Sequence, residues 1–398
     1  MSSPVSSCPP TRPATCRSEA PLPRTLLTGA TPFDGLRLRP GMAVAIEDGR
    51  IAGLVPDPGT GGERLAGGIL APGFVDLQVN GGGGVMLNDA PTAATMARIA
   101  AAHRPFGTTA LLPTLITADP RTTRAALTAA ADAPPGVLGL HLEGPHLAPA
   151  RRGAHDAALM RPLTEADVEL YCAARRSMPR LLITLAPEMA PAPLIAQLVA
   201  AGVTVSLGHS ACTAAEAEAA FDAGASGVTH LFNAMSGIDH RAPGLAAAAL
   251  TRPEIWAGII ADGHHVDSRV LRLALAAKRG PGRLFLVTDA MAPVGAPGTE
   301  FTLNGRPVHR VAVPGAPDRL QLPDGTLAGA ALDMATALRF TARALGEGAA
   351  GALRRATADP AAFLGLRRHG RLRPGARADL VHLSDDLEIL RVWQADQS

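Results

Sequence analysis

The strongest constraint on the fold is a regular alternation of apolar runs with alanine-rich stretches through the middle of the chain. Eight apolar runs lie at 73–80, 108–115, 136–143, 181–188, 203–210, 227–235, 255–262 and 284–290. Between most of them lie segments such as AAEAEAAFDAGA and RVLRLALAAKR, whose composition predicts helices. Strand–helix alternation repeated eight times predicts an α/β protein with a (β/α)8 TIM-like barrel. The near-continuous apolarity of the runs fits parallel strands that are buried on both faces.

The two ends of the chain have a different pattern. Residues 26–70 and 370–398 alternate short apolar runs with turn residues, which predicts one small β-sandwich built from both termini around a barrel at 71–369. The last segment shows no clear final strand. Residues 1–25 are rich in Pro, Ser and Thr without an apolar core, which predicts a disordered extension rather than a secretory signal. The stretch 296–328 holds turns and no helical period, which predicts a hairpin-like insertion after the eighth strand.

Composition excludes several classes of function. A net charge of +2 argues against a nucleic-acid partner, and 3% aromatic residues argue against base stacking. No charge-free apolar run is long enough to predict a membrane span. The four cysteines lack CxxC spacing, which favours a reducing cytoplasm. We therefore expect a small-molecule ligand and a cytoplasmic location.

Several of the apolar runs end on a residue that can bind a metal or transfer a proton. These residues are Glu143 in GLHLEGPH, His209 in VTVSLGHS, His230 in GVTHLFNAM and Asp289 in LFLVTDA. Strand ends converge at the C-terminal mouth of a (β/α)8 barrel, so the pattern indicates a hydrolytic metal site. Two histidines and one carboxylate would leave an open coordination position for water, as catalytic zinc requires.

Each of these residues also has an ordinary structural interpretation. Glu143 alone is consistent with a surface-loop glutamate, and a lone histidine beside an apolar strand is more often structural than a ligand. Asp289 is equally consistent with a helix N-cap. His155 and His265, with His264 beside the latter, are candidate donors to an anionic group or an oxyanion, and surface histidines are the alternative.

Some expected residues are missing. The first strand ends on Gln78 and Asn80, where a His-x-His pair would hold a second metal, and amides are poor ligands for zinc-type metals. Lys278, the only lysine, falls in a helical stretch, which argues against a carbamylated lysine bridging two metals. GGGG at 81–84 is followed by no Gly-Lys-Ser/Thr and is not a phosphate-binding loop. The chain is therefore expected to hold a single metal.

An ordered set of motifs spanning about Leu70 to Met334 resembles a known family. The motifs are APGFVDLQVNGGGGVMLND, PTLIT, GLHLEGPHL, RRGAHD, TLAPE, GHSACT, THLFNAMSG, GIIADGHHVD, LVTDAMAPVG and GTLAGAALDM. They resemble the N-acetylglucosamine-6-phosphate deacetylases of the amidohydrolase superfamily. PGARADLV resembles the segment that returns to the superfamily's β-sandwich.

The resemblance implies the deacetylation of N-acetylglucosamine 6-phosphate to glucosamine 6-phosphate and acetate by a metal-activated water. Glu143, His209 and His230 would hold one divalent metal per subunit, zinc first, with iron or another divalent ion as the alternative. Asp289 would be the general base and acid, with His155 and His265 as further catalytic residues. Arg241 would reach the neighbouring subunit of a homodimer to bind the phosphate. The substrate contacts implied in this way are Ala154, His155, Asn233, Ala234, Arg241, His265, Leu327, Ala328 and Gly329.

The chain departs from the family pattern in two places. His146 replaces a residue that is commonly apolar or aromatic, and the segment 328–331 is smaller than the usual serine-containing version. Three alternatives stay open on the sequence: an enzyme for another sugar phosphate such as N-acetylgalactosamine 6-phosphate, an inactive regulatory homologue, and a two-metal hydrolase. Gln78 and Asn80 argue against the last.

Overall fold

An eight-stranded parallel barrel forms the centre of the computed structural model, which describes residues 25–297, 300–303, 305–313 and 316–395. Neighbouring strands in the barrel follow chain order, and a bridge between Val79 and Ala290 joins the eighth strand to the first. The predicted fold is confirmed. The barrel strands are Phe74–Val79, Thr108–Ile116, Leu140–Glu143, Leu181–Leu185, Thr204–Leu207, Gly227–Val228, Trp256–Ile260 and Leu284–Val287.

Helices surround the barrel and begin at side chains that cap them. The side chains of Thr92, Asp119, Thr164, Thr213, Asp267 and Asp333 accept hydrogen bonds from the first backbone N–H groups of their helices. The α-helices are Ala93–His103, Pro120–Ala131, Glu165–Ser177, Ala192–Ala200, Ala214–Asp222, Leu245–Thr251, Ser268–Ala277, Met334–Arg343, Gly348–Ala356 and Ala358–Phe363. Short 3-10 turns lie at Arg104–Phe106, Pro149–Arg151, Ala157–Leu159 and Pro187–Met189. None of the helices in this described part of the chain has the length and hydropathy needed to cross a membrane.

All but the second of the barrel strands are shorter than the apolar runs that predict them, and the sixth differs most. Its run covers 227–235, but only Gly227–Val228 pair as a strand. The rest turns away because His230, Phe232 and Ala234 have positive φ angles. The apolar residues of this turn, Leu231 and Met235, are nevertheless buried. The apolar residues of this run are therefore buried without belonging to a strand, because the strand ends early at the mouth of the barrel.

Strands from both ends of the chain form two small four-stranded sheets beside the barrel. One sheet contains Arg50–Pro56, Met42–Glu47, Thr25–Thr28 and Glu63–Arg64, and the other contains Thr31–Pro32, Ile69–Pro72, Leu380–Leu383 and Ile389–Trp393. Our expectation that the tail lacks a clear final strand is wrong, since Ile389–Trp393 pairs antiparallel with Leu380–Leu383. The domain boundaries at 26–70, 71–369 and 370–398 stay predictions. Of the predicted disordered extension, residues 1–24 lie outside the described part.

The insertion after the eighth barrel strand is an antiparallel sheet. Its strands are Glu300–Leu303, Arg306–Val311, Arg319–Gln321 and Leu327–Ala330, in that order. Leu303, Val308 and Leu320 pack on Ile116 and Met291 in a small apolar cluster at the barrel mouth. Because of this packing, the insertion forms one wall of the cavity described next.

Candidate active site

The barrel brings the predicted metal ligands and the predicted base together in its interior. Glu143, His209, His230 and Asp289 follow or end separate barrel strands, and their exposed fractions are 2%, 5%, 4% and 9%. Glu143 is therefore not a surface-loop glutamate. An isolated buried carboxylate would be costly, so burial of this kind requires compensating partners.

Three potential ligand atoms, one from each of Glu143, His209 and His230, form a small triangle. The Oε1 atom of Glu143 lies 3.1 Å from His209 Nε2 and 2.9 Å from His230 Nε2, and the two nitrogens are 3.1 Å apart. A tetrahedral zinc ion with bonds of about 2.0–2.1 Å keeps its ligand atoms about 3.3 Å apart. The observed triangle is close to that size, so the residues present fit a divalent metal.

The charges in this cluster also fit a metal site. Burial would raise the pKa of Glu143, but its hydrogen bonds with His209 and His230 hold that pKa well below the usual range. Burial would lower the pKa of His230, but the same carboxylate raises it. His209 donates through Nδ1 to the carbonyl of Arg151 at 2.8 Å, which leaves the Nε2 lone pair available to a metal.

His155 lies beside this cluster and offers a second set of ligands. Glu143, His155 and His209 have ligand atoms within 4.8 Å of one another, and His155 Nε2 is 3.9 Å from Glu143 Oε2. The backbone N–H of Thr117 donates to His155 Nδ1 at 3.3 Å. The Thr117 hydroxyl lies 2.8 Å from the same nitrogen. With Nδ1 accepting the backbone N–H, the neutral ring would carry its proton on Nε2, which would make that nitrogen a donor rather than a ligand. Burial, with His209 next, lowers the pKa of His155 to about 3, so the ring is neutral near pH 7.

Two amides from the first strand hold the carboxylate of Asp289. Asn80 Nδ2 donates to Asp289 Oδ1 at 2.7 Å, and Gln78 Nε2 donates to the same oxygen at 3.1 Å. Gln78 Nε2 also lies 3.3 Å from Glu143 Oε1, so it links Asp289 to the cluster of Glu143, His209 and His230. Both amides bond Oδ1 of Asp289, and neither bonds Oδ2.

Asp289 does not cap a helix, and its side chain lines the barrel mouth. No helix begins at this position, and its side chain bonds across the barrel instead. Burial, followed by the charge of Glu143, raises the pKa of Asp289 to about 6, although His230, His265 and Asn80 act in the opposite direction. A carboxyl group with a pKa near working pH suits general acid–base catalysis.

Backbone strain is concentrated in the same residues. His209, His230 and Asp289 have φ angles of 47°, 30° and 52° although none is glycine. Such conformations cost on the order of 1–3 kcal/mol each and occur mostly at functional sites. Each turn bends the chain just past its strand, which directs the side chain across the barrel mouth.

His265 is oriented by a residue that sequence reasoning missed. Its Nδ1 lies 2.6 Å from Asp262 Oδ2, and the backbone N–H groups of His264 and His265 donate to Asp262 Oδ1. This fixes the ring with Nε2 available as the remaining functional atom. Thr117, which orients His155, was missed as well. The signal for Asp262 was its position three residues before His265 at the end of the seventh run.

A cavity of about 280 Å³ opens at the mouth of the barrel. The predicted site residues that line it are Glu143, Ala154, His155, His209, His230, Asn233, Ala234, His265, Asp289, Leu327 and Gly329. Two predicted contacts do not reach it within the chain. Ala328 is fully buried in the apolar cluster of the insertion, and Arg241 lies exposed on the loop that follows the sixth strand.

The barrel and its buried Glu/His/His/Asp cluster, whose geometry could hold a divalent metal, fit the amidohydrolase class of proteins. Residues 69–397 match the amidohydrolase family, and the chain belongs to that family. It is 42% identical over 365 residues to an N-acetylgalactosamine-6-phosphate deacetylase of Shewanella sp. (strain ANA-3), covering 89% of this chain and 91% of the relative. It is 37% identical to the enzyme of the same name from Escherichia coli O157:H7, covering 93% and 96%.

A solved structure extends the similarity to three dimensions. It is a mutant N-acetyl-D-glucosamine-6-phosphate deacetylase of Mycobacterium smegmatis in complex with N-acetyl-D-glucosamine-6-phosphate. The TM-score is 0.86 at 35% identity, with 94% of this chain and 98% of that chain covered.

Proposed function

We propose that the protein removes the acetyl group from an N-acetylhexosamine 6-phosphate, releasing acetate and the free amino sugar phosphate. The observation that carries this proposal is the position of Asp289, a buried carboxylate with one bonded and one free oxygen beside the cluster of Glu143, His209 and His230. Relatives that share most of the chain carry names with this activity.

Glu143, His209 and His230 would hold one divalent metal, with zinc as the first candidate and iron as the second. When bound, the metal would polarise the amide carbonyl and lower the pKa of water, towards about 7 for catalytic zinc. His155 stays outside the ligand set in this proposal because its Nδ1 accepts the Thr117 N–H.

Asp289 would move the proton. It takes a proton from the attacking water and returns it to the nitrogen of the scissile amide, because an amine leaves readily only when protonated. Asn80 and Gln78 hold Oδ1, so Oδ2 carries the proton in both steps. His155 would donate from Nε2 to the oxygen that gains negative charge. His265 donates through Nδ1 to Asp262, so it would donate from Nε2 as well only in its imidazolium form.

The rest of the cavity would hold the sugar phosphate. Asn233 and Ala234 lie in the strained turn after the sixth strand, and Ala154, Leu327 and Gly329 form the facing wall. Arg241 would complete the phosphate site from the neighbouring subunit of a homodimer, since it lies exposed and outside the cavity of its own chain. Ala328 makes no direct contact with the sugar phosphate in this proposal, because its side chain is buried in the apolar cluster of the insertion.

Two epimers are candidates for the sugar. The sequence motifs resemble enzymes that act on N-acetylglucosamine 6-phosphate. The Mycobacterium smegmatis structure, at 35% identity, supports the same substrate. Two relatives at 42% and 37% identity are named for N-acetylgalactosamine 6-phosphate, which favours the galacto epimer. The two substrates differ only in the configuration of the hydroxyl group at C4.

Acetate release from a matched panel tests the proposal. The two N-acetylhexosamine 6-phosphates are compared with each other and with N-acetylglucosamine and N-acetylgalactosamine lacking the phosphate. We expect turnover that depends on the phosphate, with the galacto compound at least equal to the gluco compound in kcat/KM. Absence of acetate release from both phosphorylated sugars by metal-loaded protein would support an inactive homologue instead.

A further inference from the structure

A second and larger cavity lies at the opposite end of the barrel from the candidate active site. Its volume is about 740 Å³, and it lies where the N-terminal ends of barrel strands meet the C-terminal part of the chain. Thr109 and Ala110 come from the start of the second strand, and Arg180 directly precedes the fourth. In barrels of this kind catalysis takes place at the other face, so the proposed deacetylation does not account for this cavity. We call it the base cavity.

The base cavity is lined by an excess of positive charge. Arg180, Arg367, Arg368 and Arg377 line it, and among the described residues the only carboxylate in the lining is Asp379. Asp379 is already engaged, since Arg377 Nε donates to it at 2.7 Å. Arg180, Arg367 and Arg368 therefore have no carboxylate partner among the lining residues that the structure describes.

The four arginines fall into a fixed pair and a free pair. Arg180 donates from Nε to the carbonyl of Leu364 at 2.8 Å, and Arg377 donates from a terminal nitrogen to that of Ala395 at 2.6 Å. Neither the Arg367 nor the Arg368 side chain has a hydrogen bond or ion pair within the described ranges, and both are exposed. The fixed pair is bonded to backbone carbonyls, and the exposed pair has guanidinium groups available to contact a ligand.

His369 shows the effect of this charge. Burial lowers its pKa; Asp379 opposes this, and the charges of Arg377 and Arg180 lower it further. Guanidinium groups bind phosphoryl oxygens through two parallel hydrogen bonds, which makes a cluster of them suited to phosphates. No Phe, Tyr or Trp is found among the described lining residues, so stacking of a nucleobase is not provided for.

We infer that the base cavity binds a small, multiply charged phosphoryl compound without an aromatic group. Two sources of this chemistry are a diphosphate and a phosphorylated sugar. The volume falls within the range of about 300–1,000 Å³ that is usual for small-molecule sites. The site is separate from the deacetylation proposed above and stands or falls independently of it.

Calorimetric titration of the metal-loaded protein tests the inference, with inorganic pyrophosphate and glucosamine 6-phosphate as the two probes. The variant is Arg367→Ala/Arg368→Ala, and the matched control is Arg272→Ala/Arg279→Ala, which removes two exposed arginines from the region of the helix Ser268–Ala277. We expect at least one probe to bind at a site other than the candidate active site, with equal Kd in the wild type and the control and at least tenfold more weakly in the variant.

The comparison separates the two sites and the two sources. Binding at the candidate active site persists in the Arg367/Arg368 variant, so only the difference between variant and control counts. The probe whose affinity differs between variant and control shows whether the base cavity binds a diphosphate or a phosphorylated sugar. If the alanine variant fails to fold, Arg367→Gln/Arg368→Gln replaces it. Equal affinities in wild type and variant, or no binding of either probe to the wild type, would overturn the inference.

Discussion

Asn80 donates a hydrogen bond from Nδ2 to Oδ1 of Asp289 at 2.7 Å, joining the ends of the first and eighth barrel strands. The backbone closes the barrel at the same place, since the N–H of Asp289 donates to the carbonyl of Gln78 at 3.0 Å. In the proposed mechanism, the amide that stands where a second metal would need a ligand is therefore a positioning residue for the base. It would keep Asp289 in place in a site that holds one metal.

Asn80→Ala should lower kcat and move the acid limb of the pH–rate profile to higher pH. The amide lowers the pKa of Asp289, which burial and Glu143 raise to about 6, so its loss leaves more of the base protonated at a given pH. A hydrogen bond to a charged group contributes about 1.5–3 kcal/mol, which predicts a loss of roughly ten- to a hundredfold in kcat. The measurement is kcat against pH.

Asn88→Ala is the matched control for this experiment. Asn88 bonds the backbone of Ile116 on both its donor and acceptor atoms and does not touch Asp289. Its loss should leave the acid limb in place. An Asn80→Ala enzyme with an unchanged pH profile would contradict the positioning role.

Metal analysis of two histidine variants separates the two candidate ligand sets. We expect His230→Ala to lose most of the bound metal, because its Nε2 lies 2.9 Å from Glu143 Oε1. His155→Gln should keep about one metal per chain and lose turnover by roughly 10²–10³, the usual effect of removing a donor to an oxyanion. Loss of metal from His155→Gln with retention in His230→Ala would reverse the assignment.

Much of this site is predictable from the sequence because strand ends of a barrel must converge. Glu143, His209, His230 and Asp289 are each ambiguous alone, and the count of eight strands places them on one face. The strand pattern does not predict how the imidazole rings of His155 and His265 are oriented. The partners of His155 and His265 are Thr117 and Asp262, which come into contact with the two rings only when the chain folds.

The fold shows a similar division. Apolar runs predict every barrel strand, yet the sixth strand stops after Val228 because strained turn residues follow it. Arg241 illustrates the limit of reasoning from one chain, since its proposed role depends on a neighbouring subunit. The strand Ile389–Trp393 was missed because its partly exposed edge position weakens the alternation of apolar and polar residues.

Stability should fall as the pH drops from about 6.5 towards 4, in part because of His146. The side chain is buried and bonded to the Arg161 carbonyl and the Tyr171 hydroxyl at 3.1 and 3.0 Å. Burial lowers the pKa of His146 to about 4, so the unfolded chain takes up this proton first as the pH falls. One such group changes the free energy of unfolding by up to about 1.4 kcal/mol per pH unit.

Urea unfolding at several pH values between 7 and 4.5 checks this prediction. Other buried histidines act in the same direction, so the comparison is between variants. His146→Phe should reduce the slope of unfolding free energy against pH by up to about 1.4 kcal/mol per pH unit, which is the contribution of one proton. His240→Phe, at a histidine whose side chain is 79% exposed, serves as the control. Equal slopes for wild type and His146→Phe would refute the assignment.

Asp289→Asn tests the central claim most directly when turnover and bound metal are measured on the same sample. Asparagine keeps the size of the side chain but cannot accept the proton from water. The Glu143, His209 and His230 cluster predicts about one metal per chain in both proteins. We expect the variant to keep that metal and to lose at least about a hundredfold in acetate release from an N-acetylhexosamine 6-phosphate. Full activity with the metal bound would contradict the account.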